Sequence, residues 1–348
     1  MDINTVLAWR LERQGLVRPV ADESAYRQLV ELVQPVAPEH FTMPGTAPKL
    51  VHRAAFDDRA FNDGLRGRSE LVKGRFWGGN IGYVLAGALE VYGTAFAKDI
   101  ERFSAEQETV LQALRFSGPL TPRQLADETG MTNKRLMPVL HRLQRTFLVY
   151  EAQEDSSWER GWYLFASRWP EIDLSRLSWQ KAATAVLQRF VESHVFATFE
   201  QIRNWSQWPL RDLKALLQEQ EESGNWIPLQ IEGLGNGWVR AEDKGLAERQ
   251  PEAGVFMLHK ADPLVKSHAA QLKEQFADRE VLQYLLVDGR FAGAVCGHWR
   301  IGPHDIEDIA VHLPDEQVAK RRQEIIAQVA KGYHPPHSQI KRYAGQVV

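Results

Sequence analysis

The stretch from 104 to 166 constrains the chain most, because its helix and turn signals fall in one fixed order. Ser104 stands before a segment in which Val110, Leu111 and Leu114 share one helical face. Thr121 precedes Pro122, a capping residue followed by the residue best suited to the first helical turn, and Gly130 breaks the chain after TPRQLADET. Thr132 then opens NKRLMPVLHRLQRT, and FLVYEAQ and GWYLFAS alternate as two strands around the polar tip EDSSWER. Three helices, a tight turn and a two-stranded wing predict a winged helix-turn-helix.

The same order returns downstream. A helix at about 178–193, TFEQIRNWSQ and PLRDLKALLQEQEES precede the strands NWIPLQIEG and NGWVRAED, with the turn expected at Gly235, Asn236 and Gly237. Upstream, 3–15 reads as an amphipathic helix closed at Gly15. A second runs over about 22–33 from Asp22, with Tyr26, Leu29, Val30 and Val33 on one face and Pro35 and Pro38 ending it. Helices near 47–55 and 58–66 follow, then ELVKGRFWGGNIGYVLAG as a hairpin, so residues 1–100 read as a third, divergent copy. From Gly254 the pattern turns to strands: GVFMLHKA, then REVLQYLLVDGRFAGAVCGHWRIG around Asp288-Gly289, then DIEDIAVHL. An amphipathic helix over 315–331 ends at Gly332, ahead of a polar tail.

At 348 residues, 44% hydrophobic and 25% charged, the chain has core enough for two or three folding units and is not disordered. Its one cysteine, Cys296, excludes an intrachain disulfide, which fits a reducing compartment. No apolar run approaches the roughly 20 residues of a membrane span, and the first residues lack an export signal, so the expected location is cytoplasmic.

The net charge of -3 excludes a histone-like binder but hides its distribution. Over 123–145, Arg123, Lys134, Arg135, Arg142 and Arg145 face only Asp127 and Glu128, whereas over 198–224 three basic residues meet five acidic ones. The first unit can face phosphates; the second repels them. Pro138 inside the first unit's third helix should kink it. A second basic zone, Val318 to Val348, holds six Lys and Arg against Glu324 alone.

With VLAWRLERQGL at the start, LVELVQPVAP, SELVKGRFWGGNIGYVL, the unit at 104–166, FMLHKADPLVKSH and LLVDGRFAGAVCGHWRIG, most of the chain resembles the bacterial crosslink-repair and alkylpurine DNA glycosylases of the YcaQ and AlkZ type. The resemblance implies an α+β fold of tandem winged helices and a small C-terminal β-barrel around a DNA channel. The matching divisions are 1–100, 101–170, 171–245, 254–315 for the barrel, and 316–348 for a helix and basic tail. It implies a monofunctional glycosylase that hydrolyses the N-glycosidic bond of alkylated or crosslinked purines, works on double-stranded DNA as a monomer, and needs no metal or organic cofactor.

The family's catalytic signature is a Gln, an apolar residue, then Gln or Asp. Gln34 and Pro35 match the first two positions, but the third is Val36, which has neither lone pair nor charge to position water or stabilise a sugar cation. That departure keeps a rival reading open: a non-enzymatic DNA binder or a winged-helix transcriptional regulator. His40 is a candidate replacement for the missing group, with an ordinary pKa in the working range. Trp77 and Tyr83 are candidate stacking platforms or, equally, core residues of the strands, beside Asn80 and the turn glycines. For DNA contact the candidates are Asn133 toward a base edge, Lys134, Arg135, Arg142 and Arg145 toward phosphates, and Trp158 and Arg160 at the wing tip. His298, His304, Asp305, Glu307, Asp308, His312, His334 and His337 lie close in sequence, but no spacing among them matches a known metal motif.

Overall fold

Helix starts follow their capping chemistry. The computed structural model describes residues 1–39, 45–152, 160–299, 305–333 and 338–348. Helix α1 (Ile3–Arg13) begins where Asp2 accepts the Thr5 N–H at 2.8 Å, and α2 (Glu23–Val33) where Asp22 accepts that of Ala25 at 2.9 Å. Tyr26, Leu29, Val30 and Val33 form the buried face of α2. The helix expected near 47–55 is absent. The Leu50 N–H is taken by the Asp58 carboxylate at 2.7 Å, and Arg53 turns inward as a buried cation, so the segment forms turns instead. Helix α3 (Asp58–Gly67) leads into the antiparallel hairpin of β1 (Leu71–Phe76) and β2 (Asn80–Leu85), paired from Leu71↔Leu85 to Phe76↔Asn80. Helix α4 (Leu89–Phe96) follows unheralded by any cap signal and buries Leu89, Tyr92 and Phe96 in the largest core.

Helices α5 (Ala105–Ser117), α6 (Pro122–Thr129) and α7 (Asn133–Arg145) and the strands β3 (Val149–Ala152) and β4 (Gly161–Leu164) come in the expected order. Ser104 with Gln107 and Thr121 with Gln124 form reciprocal caps, while Thr132 starts α7 without a side-chain hydrogen bond. Gly130 takes φ +66° between α6 and α7. α7 runs through Pro138, which lies on its exposed side. Val110, Leu125, Leu136, Leu140, Leu143 and Trp162 close a core of their own.

Next come α8 (Phe165–Arg168), α9 (Trp179–His194), β5 (Phe196–Thr198), α10 (Phe199–Ser206), α11 (Leu210–Glu222), β6 (Trp226–Ile231) and β7 (Gly235–Arg240). The turn between β6 and β7 falls at Glu232–Leu234, three residues before the expected place, and Gly235, Asn236 and Gly237 belong to β7. Gly237 answers a packing need rather than a turn: β5 pairs with β7 there, and a Cβ would stand 2.5 Å from the Ala197 carbonyl oxygen.

The C-terminal part contains β8 (Val255–His259), α12 (Pro263–Ser267), α13 (Ala269–Gln275), β9 (Val281–Val287), β10 (Arg290–Cys296), β11 (Asp308–Val311), α14 (Asp315–Tyr333), β12 (Arg342–Tyr343) and β13 (Gln346–Val347). Asp288 and Gly289, with φ +50° and +81°, make the tight turn between β9 and β10. The expected barrel is not formed among the described residues. The strands make an open six-stranded sheet ordered β13-β12-β11-β10-β9-β8, with separate apolar clusters against its two faces. The tail read as merely polar supplies its two short edge strands.

Buried charges join the parts. Arg53 pairs with Asp262 at 2.7 Å, with side chains 0% and 2% exposed. Arg10 donates to the carbonyls of His194 and Phe196, and Lys73 meets Glu151 at 2.8 Å beneath the wing.

Candidate functional site

Gln34 is the C-cap of α2 and is buried. Its amide is engaged at both ends: Oε1 accepts the Leu85 N–H at 2.9 Å, and Nε2 donates to the Glu31 carbonyl at 3.3 Å. A cis peptide leads to Pro35. Val36 exchanges two backbone hydrogen bonds of 2.8 Å with Tyr83, so the segment runs as a short extra strand beside β2. The faces of this segment alternate as in any strand. The Val36 side chain enters the apolar cluster of α2, α3 and Tyr83, whereas Ala37 packs in the cluster containing Trp77. Pro35 shares the Trp77 side: a Cβ on Gly82 would meet Trp77 Cζ3 at 2.9 Å and Pro35 Cβ at 3.0 Å.

Trp77 opens the hairpin turn with φ +37°, followed by Gly78 and Gly79 at +71° and +103°. A bulky residue in that region stores strain of about 1–3 kcal/mol, which its packing must offset. The Asn80 amide donates to the Trp77 carbonyl at 2.7 Å and closes the turn. Gly79 is required for a second reason, since Arg145 Nε lies 2.8 Å from where its Cβ would stand. Trp77 and Tyr83 are both buried, so neither is the open stacking platform the sequence suggested; each is a core residue of the hairpin. A cation covers each ring: Lys266 Nζ lies 4.8 Å from the Trp77 centroid, and the Arg66 guanidinium 6.0 Å from that of Tyr83. Burial lowers the Lys266 ammonium to about 8 and pushes the Tyr83 phenol up.

Lys266 belongs to α12, whose N-cap Asp262 accepts the Leu264 N–H at 2.9 Å and holds Arg53. Burial opposes the Asp262 charge, but Arg53 outweighs it and keeps the carboxyl below its usual range. His259, three residues earlier, is buried and depressed by that burial, while the charges of Asp262 and Glu39 act the other way. Glu39 is paired with Arg59, and its side chain is 25% exposed. Thus α12 meets the hairpin turn through Lys266 over Trp77, and the charge of Glu39 acts on His259 at the end of β8. Glu39, His259 and Lys266 escaped the sequence reading: each is a common residue without a spacing signal, and only the fold brings β8 and α12 against the N-terminal hairpin.

On α7, Asn133, Lys134, Arg135 and Arg142 are exposed, and Arg135 is paired with Glu106. Arg145 is half-buried and turned toward the hairpin. With Arg75, Lys98 and Trp179 it lines a groove of about 710 Å³ beside Gly78 and Gly79. Arg75 is fixed there by Gln144 Oε1 at 2.7 Å and the Gly79 carbonyl at 2.8 Å. Arg160 is not splayed at a tip but pairs with the buried Glu151, which also holds Lys73. Burial raises the Glu151 carboxyl, yet the two cations overcome it and the net shift is downward. His40, Trp158, His304, His334 and His337 lie outside the described residues. Among the described residues no three His, Cys, Asp or Glu gather as metal ligands; His298 is paired with Glu280, and Asp308 with Arg279.

A family model described as DNA glycosylase AlkZ-like matches residues 101–331. The chain belongs to the AlkZ-like DNA glycosylase family. Membership makes it a DNA-binding, DNA-repair protein of glycosylase-like function. The AlkZ-like fold extends over the whole chain: it is similar to the solved structure of Streptomyces sahachiroi DNA glycosylase AlkZ, with a TM-score of 0.70 at 17% identity, covering 98% of this chain and 99% of that one. No curated protein matches. Among the described residues no helix is long and apolar enough to cross a membrane.

Proposed function

We propose that this AlkZ-like protein is a monofunctional DNA glycosylase that hydrolyses the N-glycosidic bond of alkylated or crosslinked purines in duplex DNA, acting as a monomer in the cytoplasm without metal or organic cofactor. The observation that carries the reading is the family match, joined to the full-length likeness of fold. The chain is read as tandem winged helices, with α5 to β4 as the DNA-contacting unit and α9 to β7 as a scaffold. Asn133, Lys134, Arg135 and Arg142 lie exposed along α7 and are available to phosphates and base edges. Arg75 and Arg145 continue the basic surface to the hairpin turn beside the segment holding Gln34. Arg160 acts instead through Glu151, as a support of the wing.

N-alkylated purines suit this site, because a cationic base is already a good leaving group and needs little general-acid help. Gln34, the motif's first residue, orders the segment through Leu85 and Glu31.

One observation favours the rival reading of a damaged-DNA binder without catalysis. Val36 is buried among apolar side chains and offers no polar atom where the family carries Gln or Asp. Incubation of the protein with duplex carrying random N-methylated purines decides between them. Free base in the supernatant supports the glycosylase; tight, salt-dependent binding with no release supports the silent binder.

A further inference from the structure

Hydrolysis of the kind proposed needs an oxygen that accepts the proton of the attacking water, and Val36 supplies none. The carboxylates nearest the segment are mostly committed to structure. Asp262 is closed against Arg53 at 2% exposure, and Glu151 is enclosed by Lys73 and Arg160 at 0%. Asp58 accepts from Tyr26 and the Leu50 N–H within the N-terminal core. Glu31 and Glu70 lie together in a separate small pocket with Arg27, lined also by the chain just after β2.

Glu39 stands differently. Three residues beyond Val36, it is at most about 10 Å along the chain from the motif's third position. The side of the segment that carries Pro35 and Ala37 faces Trp77, and Glu39 reaches Arg59 in the first turn of α3. Its charge acts on the imidazole of His259, the last residue of β8. Its side chain keeps a quarter of its surface open to solvent, which Asp262 and Glu151 do not. The Arg59 guanidinium holds the carboxylate in place.

We infer that Glu39 is the catalytic carboxylate of this protein, supplying from the third residue after the motif the group that Val36 lacks. The inference rests on the proposed glycosylase function. A water oxygen attacks C1′ of the alkylated nucleotide while Glu39 accepts one of its protons. The C1′–N bond breaks with its electron pair moving to the cationic purine, which departs uncharged. The sugar keeps the new hydroxyl, and Glu39 releases its proton to solvent. In the same step the carboxylate opposes the positive charge that develops on the sugar.

The test compares the wild-type chain with E39Q, E39D and R59A under single turnover on N-methylated duplex, with duplex affinity followed by fluorescence anisotropy. The expected result is a loss of base release on the order of 100-fold or more in E39Q at unchanged affinity, and a smaller loss in E39D. R59A keeps the carboxylate but removes the cation that positions it, so it should slow release less than E39Q at unchanged affinity. Wild-type activity with E39Q equally fast overturns the inference and leaves the glycosylase reading standing. No release by the wild type overturns both. Should E39Q also fail to bind DNA, E39D decides, and release by E39D as fast as by the wild type at saturating protein overturns the assignment.

Discussion

Glu151 concentrates the residue-scale energetics of the wing. It is fully buried and holds Lys73 and Arg160. Glu151→Gln would leave both charges under-compensated, and breaking a buried pair in this way costs about 3–5 kcal/mol. The urea midpoint should fall accordingly, and an unchanged midpoint would show that water reaches the cluster. The residue scale also marks where reading the sequence stopped. Gln34 and Val36 were found because they stand in a motif, whereas Glu39 has none. The role proposed for it rests on its pairing with Arg59 and its charge acting on His259, neither of which is near it in sequence. Trp77 was found but its role stayed open, since an aromatic beside turn glycines looks the same in sequence whether its ring is open or covered by a lysine.

Among the elements, α5 to α7 were legible because each start and stop is local chemistry: Ser104 with Gln107, Thr121 with Gln124 and Pro122, Gly130 at positive φ. The turn between β6 and β7 was misplaced because Gly237 serves a neighbouring strand rather than a turn, and neighbours are not local. Gly237→Ala should therefore disrupt the β5-β7-β6 sheet, losing cooperative unfolding, although the position looks like a tolerant loop glycine. If the variant unfolds like the wild type, the close approach of the Ala197 carbonyl is not a constraint. On α7, Lys134→Ala and Arg142→Ala should each weaken duplex binding across sequences and reduce the slope of log K against log salt by about one. A slope untouched in both variants would remove α7 from the DNA contact.

For the whole molecule, buried neutral histidines set the response to acid. Burial holds His268 at about 4 and places His194 well below its ordinary value; the two are linked through Ser267. Burial, with Arg75 next, also lowers His141 to about 4. In the unfolded chain these groups titrate near 6.5, so below that pH the unfolded state binds protons that the folded state refuses. Stability is complete above about pH 6.5 and falls as the pH drops toward 4, by about 2 kcal/mol per fully buried histidine at pH 5. Below that range the loss continues as Glu151 and Asp262, both held low, become protonated. Urea midpoints at pH 7.5 and 5.0 check this, and equal values would contradict it. The order of helices and strands from α5 onward into the β region was legible in the sequence. That the last region forms an open sheet was not, because closure depends on pairing between distant strands.

The central claim is that an AlkZ-like chain with Val36 in its motif still cuts glycosidic bonds. The most direct measurement is free base released from N-methylated duplex by the purified protein at enzyme excess, resolved against time. The account predicts single-exponential release that E39Q slows by on the order of 100-fold or more. No release from the wild type, at a protein concentration that saturates binding, would contradict it.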